Sequence, residues 1–320
     1  MPAPAILFPA DPLNPKRPDP HFAWEARTLR ELGGEQHLVD HDALLAGDAA
    51  EAVRRVPRGC GPLWYRGWMI PSARYADFGR ALAERGATLL TTPAGYAAAH
   101  ELPGWYGVFE GATPPSSWIP LPPATARPGP EQLAAAVEQL GGRGPAIVKD
   151  YVKSRKHEWN EACYVPELSD LASVGQVVGR FVELQGEFLA GGVVLRRFEE
   201  FAPGGLAPAG LPDAGAAQVP GGRPGNGGTG ERAAEARVWW LDGEPVLVGP
   251  HPDTPGQACE PDLSVVRPLV RRLGCRFVTT DLASRADGSG WRVVEVGDGQ
   301  VSELPRGIDV SGLLTSLIAA

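Results

Sequence analysis

An Asp-Gly pair at positions 242–243 stands between two apolar runs, "EARVWWL" and "EPVLVGPH". A two-residue turn of this composition matches the twist of paired strands, so it commits its flanks to an antiparallel hairpin. A second pair of runs, "CRFVTTDLAS" and "WRVVEVGDGQ", surrounds "RADGSG" and predicts another hairpin. Together they commit the C-terminal third to antiparallel strands. The N-terminal third carries a different pattern. There the strand-like runs "PAILFP", "QHLVDHD", "GPLWYRG" and "ATLLTT" alternate with the helical segments "PHFAWEARTLRELGG" and "PSARYADFGRALAERG". Such alternation predicts a parallel sheet packed between helices. Ser72 is the expected N-cap of the second helix and Gly86 its stop.

The middle of the chain mixes both signals. The Pro-rich "ATPPSSWIPLPPATARPGP" predicts a linker or an extended crossing segment. Helices are expected at "GPEQLAAAVEQLGG" and at "LSDLASVGQVVGRFVELQG", the latter capped by Ser169 or Asp170. "GGVVLRRFEEF" reads as a strand. Residues 202–230 are dominated by Gly, Pro and Ala, which cannot fill a core; a disordered, dispensable surface insertion is expected.

The chain has 320 residues, enough for two or three packed units. No apolar run reaches membrane-spanning length. The first residues lack a basic segment ahead of an apolar one, which argues against a signal peptide. Cys60, Cys163, Cys259 and Cys275 are widely spaced and read as reduced thiols, so a cytoplasmic protein is expected. A net charge of -8 disfavours nucleic acid as a partner. Against that acidic background, local positive charge stands out.

The second hairpin places two acids. Counted from Gly288, Asp281 and Glu295 are equidistant, so a symmetric three-residue loop puts them opposite each other on one face. Opposed residues have Cβ atoms about 4.5–5.5 Å apart. Two anions that close call for a cation between them, and oxygen-only ligands favour magnesium or manganese. Asp298 is the candidate for a third oxygen, with Gln300 behind it. The ordinary alternative is a pair of solvated acids, and a four-residue loop would break the register.

"AIVKDYVKSRKHEW" ends an apolar strand in a basic cluster. Period two puts Lys149, Tyr151 and Lys153 on one face. "SRKHE" reads as a mobile basic loop, in which Arg155 and Lys156 are as readily solvated as functional. Arg196, Arg197 and Arg237 stand within apolar strands, where an arginine needs a partner, and anions are expected. Lysines and arginines beside a metal-holding acid pair suit a polyphosphate. No G-x-x-x-x-G-K-[ST] loop is present. The six histidines show no metal-ligand spacing; His157 alone sits by the cluster, as a phosphate or substrate contact. Trp64, Tyr65, Arg66 and Trp68 are candidates for a pocket wall, although strand aromatics usually fill cores.

In this order, "AIVKDYVKSRKHEW", "GGVVLRRFEEF", "EARVWWLDGEPV" and "FVTTDLASRADGSGWRVVEVGDGQVSELP" resemble the ATP-grasp superfamily, and within it the clade named for an arginine and two lysines. The resemblance covers the chain from about Gly86 onward. It implies an α/β (α+β) ATP-grasp fold with a nucleotide cleft between two antiparallel sheets, after a Rossmann-like α/β domain. The implied units are 1–120, a small lid at 121–200, the insertion at 201–230, and a larger domain at 231–320 carrying the metal acids. By resemblance, Lys149 meets the α- and β-phosphates, and Lys153 or Lys156 is the second lysine. Arg196 is the hinge-strand arginine, with Arg197 as the alternative. Backbone at Arg197, Phe198 and Glu199 faces adenine. Glu235 and Arg237 lie on the next strand, Arg237 toward the phosphates, so Arg237 and Lys153 are the implied catalytic cations. Asp281, Glu295 and Asp298 hold Mg2+, or Mn2+. Two departures from the family pattern are visible. "KSRKHEW" stands where many members have a glycine-rich lid loop, and "EVGDG" replaces an E-x-N run. The implied function is an ATP- and magnesium-dependent carboxylate–amine or carboxylate–thiol ligase working through an acyl phosphate, on small-molecule or peptide substrates. A non-catalytic ATP-binding regulatory module and a small-molecule kinase are the alternatives. The sequence names neither the acid, the amine nor an oligomeric state.

Overall fold

The computed structural model describes residues 3–121, 127–203, 233, 235–254, 260–305 and 307–320. Residues 204–230 of the expected insertion, and Cys259, lie outside the described residues. The first sheet comprises β1 (Ala5–Asp11), β2 (Asn14–Pro18), β3 (Gln36–Val39), β4 (Gly61–Tyr65) and β5 (Ala87–Leu89). Strands β3, β1, β4 and β5 run parallel, while β2 folds back antiparallel on β1. Every residue of β1 is buried, as a central strand covered on both faces requires. The helix Ser72–Glu84 packs Tyr75 and Phe78 on this sheet. Its N-cap is Pro71 rather than Ser72, which lies inside the helix and donates its hydroxyl to Glu101 at 2.5 Å. Gly86 follows the helix at φ +74, as expected of a stop.

The second sheet is antiparallel, in the order β6 (Ser116–Pro120), β9 (Gly192–Arg197), β7 (Ala146–Lys149), β8 (Tyr164–Val165). Ser116–Pro120, part of the Pro-rich passage, is therefore an edge strand. Ser117 and Ile119 are its buried positions, and its prolines sit at and before its ends, where a missing N–H is tolerated. Helices Pro130–Gln139 and Leu171–Gln185 close one face with Leu133, Val137, Val174 and Phe181. Asp170 caps the second of these by accepting from the Ser173 amide.

The third sheet has the order β11 (Glu244–Pro250), β10 (Glu235–Leu241), β12 (Phe277–Ser284), β13 (Trp291–Asp298). Asp242 and Gly243 both take positive φ, 49° and 80°, the pairing that a type I′ turn needs. Helices Pro93–His100, Leu102–Phe109 and Val266–Leu273 cover one face, where Trp105 and Phe109 meet Trp240, Val278 and Leu282. The other face shares a core with the first sheet: Trp239 and Phe277 pack with Ile6, Phe8, Trp64 and the terminal helix Ser311–Ala319. The first sheet thereby braces the third, and the second sheet stands across a cleft. No described helix is long and apolar enough to cross a membrane.

Candidate active site

The acids arrive by a route that counting from the turn does not show. Arg285 donates to the Gly290 carbonyl, so the loop is Ala286–Ser289, four residues long. Next to the turn, Ser284 pairs with Trp291 and Leu282 with Val293, one step out of the symmetric register. A β-bulge then inserts Val294, and Asp281 pairs with Glu295. Loop and bulge cancel, and the two acids share a face as expected. The first hairpin repeats the device: Trp240 pairs with Pro245, Trp239 with Leu247, and Val246 is the extra residue.

Each acid meets a cation. Arg237 grips Asp281 with two hydrogen bonds of 2.7 and 2.8 Å. Burial opposes ionisation of Asp281, but Arg237 and then His251 outweigh it and hold the carboxyl well below the usual carboxylate range. Glu295 keeps two-fifths of its side chain exposed, with Lys149 Nζ 3.3 Å away. For Glu295 too, burial is opposed by Lys149, and its pKa falls. Lys149 comes from β7 and Glu295 from β13, 146 residues apart. Two sheets of distant sequence therefore meet at one ion pair across the cleft.

Lys153, Lys156 and His157 line the same cavity, of about 380 Å³, as Arg237, Asp281 and Glu295. The expected two-residue period beyond Lys149 does not hold. Asp150 accepts from the amides of Val152 and Lys153 at 2.7 and 2.6 Å, turning the chain back so that Lys149 bridges Ser154. Tyr151 packs instead against Gly191 and the third-sheet core. The basic loop is structured as well: Arg155 pairs with Glu158 and reaches Gln185, and short helical turns run from Lys156 to Cys163.

A second cavity, of about 160 Å³, adjoins the first, with Lys156, His251 and Asp253 lining both. Glu235 lines the smaller one, and Ile147, Trp159, Phe198 and Val294 supply its apolar walls. Phe198 meets Tyr164 and Trp159 edge-on, and Glu199 holds Arg292. Arg196 does not meet an acid directly. It donates to Thr113 Oγ1 at 2.8 Å, to Ser116 Oγ at 3.3 Å and to the Val294 carbonyl at 2.8 Å. Burial pushes its pKa down to about 10. The Arg197 guanidinium is directed to the carbonyls of Leu140 and Arg143. The expectation that these two arginines meet anions is corrected: backbone and hydroxyl oxygens satisfy them.

Asp298 borders the larger cavity but is not brought to the other acids. It pairs with Val278, on the strand face opposite to Glu295, and is 0% exposed. Its Oδ1 accepts from the Gln300 amide and side chain, and burial raises its pKa to about 7. Gln300 in turn accepts from the Tyr65 amide and donates to Tyr75. Both serve the seam with the first sheet.

His251 is the residue that sequence reading missed. Its Nε2 lies 2.8 Å from Arg237 Nη2 and 3.5 Å from Asp281. With Glu235 and Asp281 it forms a group of metal-capable donors within 4.8 Å of one another. The available signal was the hairpin, since the His251 amide donates to Glu235, but the Val246 bulge shifts any count from Asp242-Gly243 by one. Of the candidate wall residues, Trp64 and Tyr65 are core, and Arg66 is buried on Glu25; Trp68 alone of the four reaches the cavity.

A family model for the ATP-grasp domain, family 3 of the clade named for an arginine and two lysines, matches residues 139–317. This chain belongs to that clade of ATP-grasp proteins. Solved structures agree on the fold across the whole length. D-cycloserine synthetase DcsG is 15% identical at a TM-score of 0.56, with 98% of each chain covered. A RimK domain ATP-grasp protein from Sphaerobacter thermophilus DSM 20745 is 15% identical at 0.54, covering 99% of this chain and 100% of its own. The ATP-grasp ligase PsnB, complexed with a minimal precursor, Mg and ADP, is 15% identical at 0.52, covering 98% of this chain and 97% of its own. Among curated proteins, none matches the sequence. The family match runs from before β7 through β13 and takes in every strand of the cleft's two sheets except β6.

Proposed function

We propose that the protein is an ATP- and magnesium-dependent ligase that joins a carboxylate to an amine through an acyl phosphate. One observation carries the reading: Lys149 of the second sheet and Glu295 of the third meet at 3.3 Å, and Glu295 lines a cavity together with Lys153, Lys156 and Arg237. Similar folds include ligases whose structures contain Mg and ADP, or a precursor peptide. In this reading the smaller cavity takes adenine between Ile147, Phe198 and Val294. The Arg197 and Phe198 amides already donate to Pro115 and Pro145, so polar contact with the base falls to the backbone at Glu199.

The residues fit a magnesium-bound polyphosphate. Asp281 and Glu295 offer hard oxygen donors, and His251 beside Glu235 would also accommodate manganese. Held by Asp281 and Glu295, magnesium would supply charge neutralisation to the phosphates. The chain's own part is positioning. Lys149 and Lys153 hold the phosphates, and Arg237 neutralises charge on the transferred group. The substrate carboxylate oxygen bonds to the γ-phosphorus as the bridging P–O bond breaks, releasing ADP. The amine then attacks the acyl carbon, phosphate leaves, and the amine gives up its proton. Calorimetric titration with Mg–ATP, then ADP-release screening of acid and amine libraries, tests the reading. Micromolar binding and acid-dependent ADP release are expected; absence of nucleotide binding ends it.

A further inference from the structure

His21, Phe22 and Trp68 line the large cavity as an aromatic shelf and do not line the smaller one. Trp68 stacks at a tilt against His21, with ring centres 4.5 Å apart, and meets Phe22 edge-on at 5.0 Å. Most tryptophans of this protein are buried or half-buried, but Trp68 is 40% exposed. Its setting is rigid. The Tyr65 hydroxyl donates to the Trp68 carbonyl at 3.0 Å, the Gly67 amide donates to the Gln300 carbonyl at 3.0 Å, and the indole N–H donates to Asp19 at 3.2 Å. A side chain at Gly67 would strike the Tyr65 hydroxyl, its Cβ only 2.3 Å away, so the loop is built for this one path. Trp68 thus leaves part of its indole open where it lines the cavity.

Glu303 stands beside the shelf. Arg237 donates to its carbonyl at 3.1 Å, and Arg66 holds the preceding Ser302 carbonyl, so the position of Glu303 is fixed from both sides. Its carboxylate is more than half exposed, with His21 4.0 Å away. Of the other acids of the cavity, Asp281 is held by Arg237, Glu295 by Lys149, Asp253 lies beside His251, and Asp298 is fully buried on Gln300. Of the cations lining the cavity, Lys153 and Arg237 are those the proposed function gives to the phosphates and the transferred group. With phosphate bound, the shelf end is left with a π face and a carboxylate. That pairing recognises a cation.

We propose that Trp68, His21 and Glu303 form the subsite for a positively charged group on the substrate. It takes a primary ammonium a few bonds from the reacting atom, as an amino acid or a diamine carries, and it discriminates against neutral acids and amines. This rests on the nucleotide reading of the rest of the cavity. The test uses the full chain loaded with Mg and AMPPNP, whose binding is first measured by calorimetry. Saturation-transfer NMR then compares n-butylammonium with n-butanol. The ammonium is expected to bind about ten-fold tighter. Glu303→Gln and Trp68→Leu should each erase most of that preference, leaving butanol and AMPPNP unaffected. Equal binding of the two probes, or an unchanged preference in Glu303→Gln, overturns the proposal, and Glu303→Gln decides the matter if Trp68→Leu does not fold. Should AMPPNP not bind, the nucleotide reading fails, and the same comparison of n-butylammonium with n-butanol is made on the unloaded chain, where equal binding of the two still overturns the subsite.

Discussion

Lys149 is a residue whose burial was legible before any fold was known. A lysine directly after "AIV" is poorly placed for solvent, and the structure buries it with Glu295 as its partner. Lys149→Ala is expected to weaken Mg–ATP binding by tenfold or more in calorimetry; unchanged affinity would remove Lys149 from the phosphate site. Asp298 shows the opposite case. The sequence offers it as an acid near other acids, but strand alternation turns it to the far face, and burial raises its pKa to about 7. Between the unfolded value of 3.8 and about 7 the folded protein holds a proton that the unfolded chain has lost. Stability from this group therefore falls as pH rises through that window and levels off above it. Asp298→Asn removes the effect. The Tm of the variant minus that of the native chain should grow from pH 4 to pH 7; a constant difference would show that the carboxyl does not titrate there.

Elements were legible where chemistry forces one local answer. Asp242-Gly243 announced its turn and the alternation of the first third its parallel sheet, while the cap of Leu171–Gln185 was narrowed to Ser169 or Asp170, of which Asp170 accepts from the Ser173 amide. Register was not, because a β-bulge has no residue signature that a count can detect. Val294 compensates for a four-residue loop, so the acids pair as a symmetric loop would have paired them, while Val246 shifts His251 out of any simple count. Long-range partners were hidden for a related reason. Arg66, in "GPLWYRG", is 1% exposed at its side chain, paired with Glu25, and donates to the carbonyls of Gly299, Gln300 and Ser302. One arginine thus ties the strand exit of the first sheet to the segment after β13. Removing one member of a buried pair leaves the other charge unpaired and costs about 3–5 kcal/mol. Glu25→Ala is expected to destabilise the protein by that amount in denaturant unfolding. Because Arg66 also carries the loop beneath Trp68, a loss under about 1 kcal/mol would mean that its carbonyl contacts suffice without the acid.

For the whole molecule, two cations of the cleft hold two of its acids. The cations proposed for phosphate hold the carboxylates proposed for metal: Lys149 holds Glu295 across the two sheets, and Arg237 holds Asp281 within one. In the proposed reading, magnesium and nucleotide together satisfy both halves, whereas either alone leaves one set of charges unpaired. Glu295→Gln separates the two requirements. It removes a carboxylate from the metal set and, at the same time, releases Lys149 from its competitor. Turnover with magnesium should be lost. In EDTA, however, the variant should bind ATP several-fold tighter than the native chain, because free Lys149 can meet phosphate without first breaking an ion pair. Calorimetry with and without magnesium reads both arms. Weaker ATP binding by the variant in EDTA would mean that the contact between Lys149 and Glu295 holds the two sheets in the binding geometry instead of competing with the nucleotide.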